Sequence, residues 1–263
     1  MAPFVIFGRF FLEFVQDTGG VFILIGRVFQ TIPRAFANAK GILQQMDRIG
    51  IGSIPLVLVT SLFVGAVTAV QAAYQFHGYV PLKYIGTVVG KSVILELGPV
   101  LTALVVGGRV SASIAAELGT MKVTEQIDAM EMIAIDPVEN LVMPRVIGAT
   151  FMLPVLTIFS DFLAILGAMV VANVSLHVGF NAFGSGLKLL FRTQDMAGGL
   201  MKTFVFGFII ALMGCYHGFE TRGGAEGVGI ATMKAVVSAC LLILISNYFL
   251  ASLIFRFLFA PSS

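Results

Sequence analysis

The sequence predicts an all-α integral membrane fold with five spanning helices, and three observations predict it. Mean hydropathy is +0.98, with 58% hydrophobic and 11% charged residues over 263 positions. That is far from the roughly quarter-charged make-up of soluble domains. A helix needs about 20 apolar residues to cross the hydrocarbon core, and five runs are of that order: approximately Ile54–Ala73, Val88–Gly108, Val146–Val174, Gly198–Gly218 and Ala235–Leu258. Most of the Arg, Asp and Glu residues fall between these runs, as they do when connecting segments face water.

Residues 1–53 read as N-terminal interfacial amphipathic helices and residues 54–263 as the five-span core, one domain in all. Phe7, Phe11 and Phe14 repeat at helical spacing while Arg9, Glu13 and Gln16 repeat on another face, the pattern of a helix lying in the interface plane. Ala35-Phe36-Ala37 imitates a leader cleavage site after the apolar Val21–Ile25 patch, but Glu13, Asp17 and the missing basic start oppose a signal peptide. Pro33 and the Gly50–Pro55 stretch predict elbows, giving two or three short helices before the first span.

With the N-terminus inside, Arg9, Arg27, Arg34, Lys40, Arg48, Arg109, Lys122, Arg145, Arg222 and Lys234 lie on the cytoplasmic side. Lys83, Lys91, Lys188, Arg192, Lys202 and Arg256 lie opposite or at span edges. Ten against six predicts N-in and C-out. A net charge of +2 and dispersed basic residues exclude nucleic acid as a partner. Cys215 and Cys240 fall inside apolar runs, so neither a disulfide nor a metal is assigned to them.

The second run holds the most informative joint. Glu96 lies well inside it, and an ionised carboxylate there is expensive unless it meets a partner, a wet cavity or the bundle interior. Pro99 removes a backbone donor three residues later, predicting a kink where a cavity can open. Burial of Glu96 for packing alone is the competing reading. Beyond Arg109, small residues dominate Ser111–Ala116, and after Gly119 the pattern turns amphipathic. Thr124 is the expected cap of a new helix with Val123, Ile127, Met130 and Ala134 on one stripe and Glu125, Asp128 and Glu131 on another. Asp136-Pro137 is its expected end. Such a helix suits docking into a groove of a cytoplasmic partner, or is simply a solvated surface helix.

Asp161 sits mid-run, with Ser160, Asn247 or another helix as candidate partners. Lys202 at the edge of the fourth run invites either snorkelling or headgroup binding. Gly223–Gly229 lacks the Lys-Ser/Thr ending of a phosphate loop and reads as a flexible turn, so ATP binding requires another polypeptide. His77, His177 and His217 lack ligand spacing, and Gly184-Ser185-Gly186 is no nucleophile elbow. Gly86-xxx-Gly90 and Gly214-xxx-Gly218 offer close helix contact, one of them for subunit pairing. Two functions of different class fit these residues: a permease driven by a partner ATPase, and a secondary, ion-coupled carrier of lipid or hydrophobic solute using Glu96, Asp161 and Lys202. An intramembrane enzyme lacks the required spacing.

The block ELGPVLTALVVGGRVSASIAAELGTMKVTEQIDAMEMIAIDP at Glu96–Pro137, followed by PRVIGATFMLPVLTIFSDFLAILG, resembles the permease subunit of Mla-type (MlaE/YrbE) ABC transporters associated with MCE proteins, over about residues 50 to 260. The resemblance implies a homodimer of five-span subunits in a bacterial inner membrane, cytoplasmic ABC ATPases that hold ATP and magnesium, a periplasmic MCE-domain ring, a STAS-domain protein in many systems, and phospholipid moved between the two membranes. It implies no cofactor in this chain. It also implies a coupling helix, assigning ATPase docking to Glu117, Met121, Lys122, Glu125, Asp128 and Glu131, and an outward-open lipid cavity with Gln71, Tyr74, Phe76, Glu96 and Lys202 as candidates. Some relatives carry an arginine directly before the glutamate, where this chain has Leu95.

Overall fold

The computed structural model describes residues 3–33, 38–76, 84–189 and 192–258. Arg34, Ala35, Phe36, Ala37, His77 and Lys83 lie outside them, as do the side chains of Phe7, Arg9, Phe11, Glu13 and Phe14. The described chain is helical: α1 (Pro3–Thr31), α2 (Ala39–Phe76), α3 (Ile85–Ser92), α4 (Gly98–Val123), α5 (Gln126–Met132), α6 (Met143–Leu176), α7 (Phe180–Leu189), α8 (Thr193–Phe219) and α9 (Gly224–Leu258). Five helical stretches are long and apolar enough to span a membrane: Ala39–Phe76, Ile85–Val123, Val138–Leu176, Thr193–Phe219 and Gly224–Arg256. They contain four of the five apolar runs whole and all but the last two residues of the fifth, and each is longer.

The additions have local causes. The elbow expected at Gly50–Pro55 gives way to an α2 that starts at Ala39 and runs through Pro55, whereas α1, 29 residues long, ends at Thr31, just before Pro33. Pro55 and Ile51 both lie on the exposed side of α2. The lost 55-to-51 hydrogen bond therefore falls on the outer face, where the ladder yields without disturbing buried contacts. Pro154 is likewise carried inside α6. Gly224–Gly229 is the first part of α9, not a turn; the chain bends just before, through positive φ at Gly223 (91°) and Gly224 (72°).

Two π turns extend α4 and α6 backward. Val93–Leu97 joins α3 to α4, and Val138–Val142 precedes α6. The expected kink at Pro99 is thus a π turn ending one residue before Gly98-Pro99, and Pro99 occupies the first turn of α4, where its missing N–H is tolerated.

α8 is the most buried of the five span-length stretches and lies against α4, α6 and α9. Phe206, Ile210, Leu118, Leu153 and Ile243 fill the centre of this packing. α2 pairs with α6 through glycine: a Cβ on Gly65 would strike the Ala164 carbonyl, and one on Gly167 the Leu62 carbonyl. That close approach is how membrane helices gain contact without a hydrophobic driving force. Both small-xxx-small motifs are spent inside the chain. Gly86 and Gly90 pack on Phe183 and Leu187 of α7, and Gly214 and Gly218 on Ser111, Ile114 and Leu118 of α4.

Candidate functional site

The π turn aims Glu96 at α8 and α9. Lys202 Nζ lies 2.5 Å from Glu96 Oε1, and Asn247 Nδ2 donates to Glu96 Oε2 at 3.2 Å. Lys202 also donates to the Leu95 carbonyl at 3.2 Å. In an α-helical ladder that carbonyl would accept from residue 99, which is proline; the lysine uses the acceptor that proline frees. The pair is unequal in exposure, with the Lys202 side chain 3% exposed and that of Glu96 37%. The ammonium is therefore buried with both of its partners on the π turn, while the carboxylate, also held from α9, reaches open space. Lys202 does not snorkel: it is a buried partner in a pair.

The space in front of Glu96 is a cavity of about 690 Å³ between α2 and the α3–α4 arm, lined by Phe63, Val67, Gln71, Ser92, Glu96 and Leu101 among others. A second, more apolar cavity of about 370 Å³ shares Phe63, Val64, Leu97 and Leu101 with it and continues along α4 to Val105. Of the five expected lipid-cavity residues, the structure brings together Glu96, Gln71 and Lys202. Tyr74, 86% exposed, lines neither cavity, and Phe76 packs with the Val89–Phe183 cluster.

Asp161 does not bond to either expected partner: Ser160 pairs with Ser61 at 2.7 Å, and Asn247 serves Glu96. Its Oδ1 is buried without a hydrogen-bond partner and lies over Gly98, where any Cβ would collide with it. A further carboxylate that sequence reasoning passed over, Asp195, is 1% exposed and faces Lys91 Nζ at 4.0 Å. Two oppositely ordered charge pairs thereby hold α8, Lys91 of α3 to Asp195 and Glu96 of the π turn to Lys202.

The far end of α4 carries the expected docking residues. Thr124 closes α4 rather than capping α5: its hydroxyl donates back to the Thr120 carbonyl at 2.8 Å, and Glu125 precedes α5 in a left-handed conformation (φ 58°). α5 spans 7 residues, and Ile127 alone of the expected apolar stripe is buried. The chain turns again at Ala134 (φ 60°), and Asp136 starts the next helix instead of ending this one, its Oδ1 accepting from the Val138 N–H at 2.9 Å. Glu125, Asp128 and Glu131 are exposed, as are Met132 (88%) and Ile133 (68%). Lys122 pairs with Asp128 at 2.6 Å, while Met121 packs against the core. Glu117 faces inward, its two oxygens holding Arg48 at 2.9 Å and Arg145 at 3.1 Å, so it ties α2 and α6 to α4.

Five span-length helices around an ion-paired carboxylate that opens on a cavity, with an acidic and apolar knob outside the bundle, define a multi-pass membrane transport subunit. The chain belongs to the MlaE permease family, whose model, Permease MlaE, matches residues 42–253. A probable ABC transporter permease protein of Synechocystis sp. is 43% identical over 241 residues, 92% of each chain. One of Rickettsia typhi is 40% identical over 250 residues, 95% of this chain and 96% of its own. Protein TRIGALACTOSYLDIACYLGLYCEROL 1, chloroplastic, of Arabidopsis thaliana is 34% identical over 234 residues, 89% of this chain and 67% of its own. The chain is therefore the non-catalytic membrane component of an ABC transporter, which works with a partner ATPase. That membership sets the ion-coupled carrier aside.

Proposed function

We propose that this permease moves phospholipid between the inner and outer membranes of a bacterial envelope, sustaining the lipid asymmetry of the outer one. The observation that carries the reading is the cavity before Glu96: apolar walls long enough for acyl chains, with one compensated carboxylate and the Gln71 amide among them. Such a lining suits an amphiphile, holding its tail by area and its polar end by a few fixed groups. A lipid is also written into the printed name of the Arabidopsis relative.

In this reading two copies form a homodimer in the inner membrane, N-termini cytoplasmic and C-termini periplasmic, with an MCE-domain ring outside and a STAS-domain protein against the ATPases. ATP and magnesium belong to the ATPase chains. α5 with its flanks is the coupling element: Glu125, Asp128 and Glu131 offer charge and Met132 and Ile133 offer apolar contact, while Glu117 transmits movement through Arg48 and Arg145. Closure of the ATPases displaces α4 as a rigid body and narrows the space between α2 and α4. The test is purification from native membranes with partner chains and bound lipid identified by mass. ATPase, MCE-domain protein and phospholipid in one assembly are expected; an assembly with no lipid and no MCE-domain chain would contradict the proposal.

A further inference from the structure

α2, α4 and α6 each carry an arginine, Arg48, Arg109 and Arg145, and a single carboxylate serves two of them. Glu117 holds Arg48 and Arg145 with its two oxygens. Arg109 has no ion pair among the described residues; its Nη1 donates to Ser53 Oγ at 2.8 Å and its guanidinium lies over Gly52, where a Cβ would strike Nη2. The residue is nonetheless exposed. One N–H is thus fixed by the protein while a planar fork of donors faces outward, the geometry that suits a phosphate.

Arg109 also terminates the groove already described. Leu97, Leu101 and Val105 line the smaller cavity at four-residue spacing along the π turn and α4, and Arg109 follows one turn beyond Val105. Opposite, α2 offers Gly52, then Leu56, Val59 and Phe63, the last three exposed. From Leu97 to Arg109 the helix rises about 18 Å, close to the roughly 15 Å of one leaflet's hydrocarbon. An apolar trough of leaflet depth, ending on a cation without a counter-charge, matches the charge and the length of a lipid.

We propose that the α2–α4 groove binds a phospholipid whose phosphate sits on Arg109, at the end of the bundle that carries α5, with its acyl chain running toward Glu96. This deepens the reading of the cavity as a lipid site by giving it a second mouth: lipid enters or leaves the groove from the leaflet on the α5 side, headgroup on Arg109. Ser53 positions the guanidinium, and Gly52 keeps its plane clear.

The chain contains no tryptophan, so a single reporter is available. Leu56→Trp places it in the trough, and the purified full chain in detergent is titrated with phosphatidylglycerol brominated on its acyl chains, with brominated diacylglycerol, and with inorganic phosphate. Saturable quenching by the phospholipid is expected, its apparent affinity falling about tenfold in Arg109→Gln, the size expected for a charge-assisted hydrogen bond. Arg109→Lys, which keeps the charge, is expected to retain binding, as is Lys188→Gln on α7, an exposed lysine away from the groove. Diacylglycerol is expected to bind weakly and without dependence on residue 109. Equal quenching in the parent and Arg109→Gln would overturn the proposal, as would equally tight diacylglycerol binding or an equal loss in Lys188→Gln. Displacement by millimolar inorganic phosphate would make this a free-anion site and overturn the lipid assignment. The assay holds no ATPase, so its failure leaves lipid transport standing. Arg109-dependent quenching in a protein that moves no lipid would instead overturn transport and keep the site.

Discussion

At the scale of residues, the asymmetry of the Glu96–Lys202 pair makes a sharp prediction. Removing one partner of a buried ion pair leaves an uncompensated charge, at about 3–5 kcal/mol. Glu96→Leu strands an ammonium that is 3% exposed, whereas Lys202→Met leaves a carboxylate that keeps Asn247 and reaches the cavity. Glu96→Leu should therefore lower the melting temperature in detergent well beyond Lys202→Met, and the double substitution should recover most of the loss. Equal effects of the two single substitutions would show that the pair is not buried as described. Both residues were legible in the sequence as charges inside or beside an apolar run, but their pairing was not. They stand 106 positions apart, and no periodicity links them. Snorkelling stayed open beside headgroup binding for Lys202 because hydropathy reports depth along a helix and not the direction in which a side chain points. Asp195 went unnoticed for the converse reason: it precedes the fourth run, where a carboxylate reads as solvated, yet it is 1% exposed.

At the scale of elements, glycine contacts set helix spacing, and the exposed charge of α5 is the proposed means of docking. Gly65→Ala drives a methyl into the Ala164 carbonyl, so α2 and α6 must separate, at about 1–3 kcal/mol by the usual cost of overpacking. A lower melting temperature is expected, while Gly108→Ala, where a Cβ meets nothing within 4 Å, should be neutral. Charge reversal at Glu125 and Asp128 is expected to abolish stimulation of the partner ATPase and leave the melting temperature of the permease unchanged, since both side chains are exposed. Pull-down with the ATPase and a thermal melt of the same preparations check both halves. The five spans were readable because an apolar run of membrane length has few other uses. Their ends were not: Pro55, Pro154 and Gly224–Gly229 are breakers in water, yet the helices run through the first two, and α9 is already helical at the third. The acidic face of α5 was legible from its spacing, but its boundaries were fixed by left-handed turns at Glu125 and Ala134 that no local residue preference announces.

At the scale of the whole molecule, the polar centre at Glu96 and the knob at α5 are the two ends of one rigid lever. α4 runs from Gly98, beside the cavity, to Val123, beside α5, and Glu117 locks it to α2 and α6. In the proposed cycle a push on α5 passes through the turn at Thr124 and Glu125 into α4 and so reaches the groove walls from a motor outside the membrane. Weakening the clamp with Glu117→Gln should lower lipid transfer per ATP hydrolysed while hydrolysis itself continues, measured on the same proteoliposomes. The decisive measurement is the ATP-dependent movement of fluorescent phospholipid by the reconstituted permease and its ATPase, with the parent chain compared to the Glu125→Lys, Asp128→Lys double variant. The account predicts transfer that requires hydrolysis in the parent and is lost in the folded double variant; transfer that proceeds without the ATPase, or that survives the reversal unchanged, would contradict it.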